Sequence, residues 1–180
     1  MAVGNPIGHV LAGAVSRTSS GYFTDVDGPT TVATANGLGQ RMALGATEFD
    51  DNGNAYIYVA GVASCAQGDW CFYVPGTFAL TRLPASTATF GLLGVAMAAI
   101  VAGTWGWLQV YGLTPAFTAV GTDAAADGKG VSAASGTAGR VSTGPTTTKN
   151  VFNAVCVGAA ASNQGTVAIS YPYEFGSATI

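Results

Sequence analysis

The sequence predicts an all-β protein: a compact antiparallel β-barrel or β-sandwich over residues 45–180, with a long extended N-terminal arm over residues 1–44. Two observations carry the β domain. Short β-branched and aromatic runs alternate with turn residues at roughly 8 to 12 residue spacing, and no segment holds the 3.6-residue apolar period of an amphipathic helix. A third observation sets off the arm. Gly4, Pro6, Gly8, Gly13, Gly21, Gly28, Pro29, Gly37 and Gly39 break its apolar residues into a pattern too sparse for a helix or a regular strand pair.

The arm's charges, Arg17, Asp25, Asp27 and Arg41, cancel. Such a segment has no core of its own, and ordering it costs entropy that contacts elsewhere must offset. Val10, Leu11, Val15, Tyr22, Phe23 and Met42 are apolar enough to be buried on a partner. With His9, Arg17 and Arg41 they form the candidate partner-binding set. Attachment through so few charges is expected to depend weakly on salt. The competing expectation is that the arm folds back onto its own β domain as edge strands.

From Gly45 the texture changes. Ala46 to Asp50 and Ala55 to Ala60 flank Asp51-Asn52-Gly53-Asn54, and Asn-Gly is the strongest short hairpin signal, because a type I′ turn needs positive φ at both central positions. With Asn52-Gly53 central, Phe49 is expected opposite Tyr56, a favourable aromatic pair. Cys71 to Val74 and Thr77 to Arg82 form a second pair of short strands around the Pro75-Gly76 turn signal.

The run Gly94 to Ala102 precedes Gly103-Thr104 and the β-branched, aromatic stretch Trp105 to Tyr111. A two-residue turn at Gly103-Thr104 sets Ala102 against Trp105, Ile100 against Trp107 and Ala96 against Tyr111, small residues against large. A buried Ala-rich helix over residues 92 to 102 is the alternative, since short apolar runs are ambiguous by periodicity. Residues 122 to 148 are low in complexity, with Ser135 to Val141 reading as a turn entering a strand. Val151 to Val157 and Thr166 to Tyr171 are the last strands, and Pro172 is expected to break the aromatic segment that follows.

Composition narrows the function classes. Hydrophobic residues make up 49% of the 180, but charged residues only 8%, against roughly 25% in an average soluble domain. A surface so short of charge is most at ease buried against something else. With net charge −3 and six scattered cations, nothing offers a patch to neutralise phosphates, so no nucleic-acid partner is expected. The most apolar run, Leu92 to Ala102, is far short of the roughly 20 residues of a spanning helix, and no basic n-region precedes the apolar N-terminal stretch, so neither a membrane span nor a signal peptide is expected.

No catalytic constellation is legible. His9 is the only histidine and lies in the arm; no G-x-S-x-G elbow is present, and Lys129 in Gly128-Lys129-Gly130 is not followed by Ser or Thr. Asp50 to Asn54 has calcium-like composition but lacks the glycine and glutamate that the EF-hand loop needs at its sixth and twelfth positions. Cys65, Cys71 and Cys156 show no zinc-ligand spacing and are an odd set, read as small buried hydrophobes, although Cys65 and Cys71 could meet across a turn. The expectation is therefore no enzyme, no metal and no cofactor. Trp105, Trp107 and Tyr111 alternate along one strand and could make a sugar-stacking platform, but their apolar neighbours favour a core or interface strand.

Three stretches carry a likeness: Glu48-Phe49-Asp50 through Tyr56-Ile57-Tyr58-Val59; Gly94-Val95-Ala96-Met97-Ala98 through Gly103-Thr104-Trp105-Gly106-Trp107-Leu108-Gln109-Val110-Tyr111-Gly112; and Gly136-Thr137-Ala138-Gly139-Arg140-Val141. In them the chain resembles the small decoration, or cement, proteins of tailed-bacteriophage heads. The resemblance implies a β-rich structural protein, made in the host cytoplasm, that binds the outer surface of the capsid. It further implies that the protein bridges subunits of the major capsid protein and is a homo-oligomer, trimer or dimer. The rival expectation is a tail, spike or adhesin-type carbohydrate-binding β module using Trp105, Trp107 and Tyr111.

Overall fold

A computed structural model of the chain describes residues 22–29, 35–62, 65–85, 90–114, 118–119, 128–134, 136–142, 149–157 and 164–176. The described residues are almost entirely antiparallel β, with one 3-10 turn at Tyr22–Thr24 and no α-helix among them. The strands are β1 (Thr47–Phe49), β2 (Ala55–Ala60), β3 (Trp70–Tyr73), β4 (Leu80–Arg82), β5 (Phe90–Ala96), β6 (Trp105–Leu113), β7 (Thr118–Ala119), β8 (Gly130–Ala133), β9 (Val141–Ser142), β10 (Lys149–Cys156), β11 (Gln164–Gly165) and β12 (Val167–Gly176). β7 and β11 pair with each other; the other ten form one sheet in the order β1-β2-β6-β5-β12-β10-β8-β9, with β3 beside β5 and β4 beside β3.

The sheet forks where β5, β6 and β12 meet. β5 and β6 pair only through Val95–Gln109 and Ala96–Leu108 and then diverge. β12 fills the gap, pairing with β6 through Ala168 to Ser170 and with β5 through Tyr173 to Phe175. Pro172, expected to end this strand, instead lies between the two partners, where a missing N–H removes nothing from either ladder. Buried Gln109 occupies the fork, its Nε2 donating to the carbonyls of Tyr111 and Leu113 at 3.2 and 2.9 Å.

Three apolar clusters explain why so many strands read as hydrophobic on both faces. Trp70, Phe72, Leu93, Val95, Val131 and Ile169 belong to the first, which β3, β5, β8, β10 and β12 enclose. The N–H groups of Trp70 and Gly139 donate to Gly139 O and Leu83 O, tying the β8–β9 turn to β3 and the residue after β4 and drawing the sheet into a barrel-like curl. Alternate residues of β3, Cys71 and Tyr73, enter the second cluster with Ile57, Val59, Leu80 and Leu108. The third, on the far side of β2 and β6, holds Phe23, Tyr56, Tyr58, Met97 and Trp107.

The first hairpin forms in a register other than expected, and the second forms only in part, pairing β5 with β6 through Val95 and Ala96 alone. In the first, Phe49 lies opposite Ala55 and Glu48 opposite Tyr56, so the Phe49–Tyr56 pair is absent. The cause is Asp50. Its carboxylate accepts from the backbone N–H of Asn52 and Asn54 at 2.9 and 2.8 Å, while Gly53 N–H donates to Asp50 O. Asp51-Asn52, rather than Asn52-Gly53, are thus the central turn residues, and Gly53 takes the left-handed φ of 80° after them. A one-residue slip of this kind turns every side chain to the opposite face.

In the second hairpin, Ala96 faces Leu108 where Tyr111 was expected, and no helix forms over residues 94 to 102. Thr104 N–H and Oγ1 both donate to Val101 O, so Ala102-Gly103, rather than the expected Gly103-Thr104, are the central turn residues. β5 nevertheless stops at Ala96, because the residues after it cross between clusters: Met97 enters the third and Ile100 the second.

The arm boundary at residue 44 does not describe residues 22–29 and 35–44. Phe23 is wholly buried in the third cluster, with Tyr22, Met42 and Leu44 packed around it. The reason is Trp107 with Tyr56 and Tyr58, large rings on the β2–β6 face opposite the second cluster, which need a cover. Asp27 clamps that cover. It is 1% exposed, accepts from Arg41, Asn36 and the Tyr58 hydroxyl, and bridges through its backbone to Trp105.

Candidate functional site

Strand alternation divides β10, β12 and the end of β6 into two faces. Val151, Ala154, Cys156, Val167 and Ile169 point into the first cluster. Tyr111, Leu113, Phe152, Val155, Tyr171 and Tyr173 are exposed on the outer side, with Leu113 at 58% and Tyr171 at 49%. Leu92, also exposed, is in register with Tyr173. Phe152 and Tyr173 stack with ring centroids 5.2 Å apart and planes 15° apart; the Tyr111 and Tyr171 rings lie 5.9 Å apart. None of these side chains is charged.

Two backbone outliers shape this face. Between Phe152 and Ala154 the β10–β12 register shifts, one β10 residue standing against three in β12. Asn153 sits at the shift with φ 58°, and Tyr171 opposite has φ 49°. Residues held in this region cost on the order of 1–3 kcal/mol each unless the surroundings over-determine them. The bulge also re-aims side chains, and it leaves an open groove of about 890 Å³ between the first hairpin loop and the ends of β6, β10 and β12.

The groove's polar groups are Asn52, Asn54, Asn153 and Ser170, beside Tyr111 and Leu113. Asn54 is fixed there, its Nδ2 donating to Asp50 Oδ2 at 2.7 Å and its Oδ1 accepting from Leu113 N–H at 3.1 Å. Gly112 makes this approach possible: with φ 101°, a Cβ there would stand 1.9 Å from Asn54 Oδ1. An uncharged face of this kind gains by removing apolar area from water, roughly 25 cal/mol per Å², with hydroxyl and amide groups to orient a partner.

The residues expected to bind a partner separate into groups. His9, Val10, Leu11, Val15 and Arg17 lie outside the described residues. Phe23 is corrected from partner contact to core residue, because it fills the space over Tyr56 and Trp107. Tyr22 and Met42 are half-buried around it, and Arg41 pairs with Asp25 and Asp27. Burial works to lower the Arg41 pKa, but the two carboxylates outweigh it and hold it above its ordinary value. The sugar platform is not assembled either, since Trp107 lies under Tyr22 and Phe23, Trp105 is half-buried against the same cluster, and Tyr111 alone of the three is exposed.

The aromatics of β12 and Phe152 were legible as residues but not as a site. A hidden bulge decides which of Tyr171, Tyr173 and Phe152 share a face. Among the described residues no group of three or more His, Cys, Asp or Glu could hold a metal ion, and no helix is long and apolar enough to cross a membrane. No family model, curated protein or solved structure matches the chain.

Proposed function

We propose that the chain is a structural protein of a phage head: a decoration protein that binds the outside of the assembled capsid and stabilises it by bridging major capsid protein subunits. The observation that carries the reading is the uncharged outer face built from Leu92, Phe152, Tyr173, Tyr111 and Tyr171. A contiguous exposed apolar surface marks an interaction site, and a chain with 8% charged residues has little else to keep that surface soluble alone. The sequence resemblance in residues 48 to 141 supports the same reading. A protein that binds the assembled shell but not its dissociated subunits adds its binding free energy to the shell by mass action. The proposal retains His9, Val10, Leu11, Val15 and Arg17 as further shell contacts and takes the bound form to be a homo-oligomer.

Electron microscopy of purified heads bearing the protein tests this directly. Density for the chain is expected over capsid subunit junctions, with the Phe152–Tyr173 face turned inward; density confined to the tail, or none, would overturn it. One observation favours a second reading, a glycan-binding module: Tyr111 lies exposed beside the amides of the groove. Binding of the isolated protein to a glycan array, abolished by Tyr111→Ala, would select that reading instead.

A further inference from the structure

The three cysteines take no part in the proposed function, yet two of them are placed for chemistry with each other. Cys65 and Cys71 are buried, at 2% and 0% exposure, and their sulfurs lie 3.4 Å apart. Cys156 is buried separately, its Sγ against Thr166 O at 3.8 Å. The segment joining the close pair is held from several directions. Asp69 Oδ2 accepts from Ala66 N–H at 2.8 Å and pairs with Arg82 Nε at 2.8 Å, and Gly68 N–H donates to Ala96 O at 2.8 Å. Cys71 itself is fixed in β3, between Arg82 of β4 and Gly94 of β5.

We propose that Cys65 and Cys71 form an oxidation site, a thiol pair that closes an intramolecular disulfide when hydrogen peroxide reaches it. The sulfurs need approach only from 3.4 Å to the roughly 2.05 Å of a disulfide. Cys65 is the attacking sulfur: the hydrogen bond from Cys71 lowers its pKa and, reciprocally, raises that of Cys71. The thiolate is the nucleophile.

In the first step a bond forms between Cys65 Sγ and one peroxide oxygen, and the O–O bond breaks. The hydroxide released takes up the proton given by Cys65, leaving a sulfenic acid and one water. In the second, Cys71 sulfur attacks Cys65 sulfur, the S–O bond breaks, and hydroxide departs with the Cys71 proton as a second water. Each sulfur loses one electron and the peroxide gains both. The small size of peroxide suits a buried pair, and the product staples the segment before β3 to β3 itself. This inference stands on the sulfur geometry and holds whether or not the chain decorates a capsid.

The test is to expose the folded full-length protein to hydrogen peroxide, then denature it, alkylate remaining thiols with iodoacetamide and map the peptides by mass spectrometry. The expected result is loss of two hydrogens, a linkage between the Cys65 and Cys71 peptides, and one alkylated thiol at Cys156. Closing the loop should also raise the thermal midpoint by roughly 5 °C, reversed by dithiothreitol. In Cys71→Ser the oxidation should stop at a sulfenic acid on Cys65, trapped by dimedone. Three alkylatable thiols after treatment, a linkage through Cys156 or between chains, or a Cys65 sulfinic acid with Cys71 still a thiol would each overturn the proposal. The wild-type result decides even where Cys71→Ser does not fold.

Discussion

The Phe23 ring stacks on Tyr56 with centroids 3.8 Å apart and planes 16° apart, and it stands at 80° to the Trp107 ring with centroids 5.4 Å apart. Residues 22–24 are therefore part of the β domain, because they cover rings on β2 and β6 that would otherwise face water. Phe23→Ala is expected to destabilise the fold by about 3–5 kcal/mol, the range for emptying a buried aromatic site. Urea unfolding followed by tryptophan fluorescence measures it, and a loss below about 0.5 kcal/mol would mark a dispensable arm.

From the other side of the same contact, Trp107→Ala should also cost about 3–5 kcal/mol by leaving a cavity. Ala98→Trp should cost about 1–3 kcal/mol or more through overpacking, since Ala98 is buried between the second hairpin's strands and its turn. Denaturant midpoints for the two variants check both figures.

How much of this was legible beforehand follows from the kind of information each feature needs. That turns fall around Gly53 and Gly103 was readable, because glycine marks left-handed positions by residue type, but each turn is centred one residue earlier than expected, on Asp51-Asn52 and Ala102-Gly103. The registers were not, because each depends on a specific capture: the Asp50 carboxylate in one hairpin, the crossing of Met97 and Ile100 in the other. The aromatic run of β12 was visible, but the face it shares with Phe152 depends on a bulge at Asn153 that residue identity does not announce. The cover over Trp107 was the least legible, since Phe23 stands 84 positions before it in a glycine-broken segment.

Alkaline pH should unfold the protein through Tyr56 and Tyr58. Burial first, then the hydrogen bonds to Asp50 and Asp27, raises both phenols well above their ordinary value of 10.0. With the folded pKa raised, the stability each phenol contributes is fully present below pH 10. It is lost as pH rises through the folded pKa, at up to about 1.4 kcal/mol per pH unit for each group. Tyr58→Phe should flatten the alkaline limb of a stability–pH curve measured by urea titration. An unchanged limb would contradict the assignment.

Gly112→Ala should destabilise by about 1–3 kcal/mol, because the new Cβ meets Asn54 Oδ1 in a backbone conformation that L residues rarely adopt. Gly130→Ala is the control: its Cβ would meet nothing within 4 Å, so a change within about 0.5 kcal/mol is expected. Thermal melts of the pair separate a crowded glycine from a tolerant one.

The docking role of the outer face is best tested by placing charge on it. Phe152 and Tyr173 are exposed and stacked, so the double variant Phe152→Asp, Tyr173→Asp should stay folded, which circular dichroism verifies. Its co-sedimentation with assembled heads, titrated against dissociated capsid subunits, is the decisive measurement. Wild type should bind heads but not subunits, with little dependence on salt, and the double variant should bind at least about tenfold more weakly, equivalent to roughly 1.4 kcal/mol. A folded double variant that decorates heads at wild-type affinity, or a wild type that binds no heads at all, would contradict the proposed function.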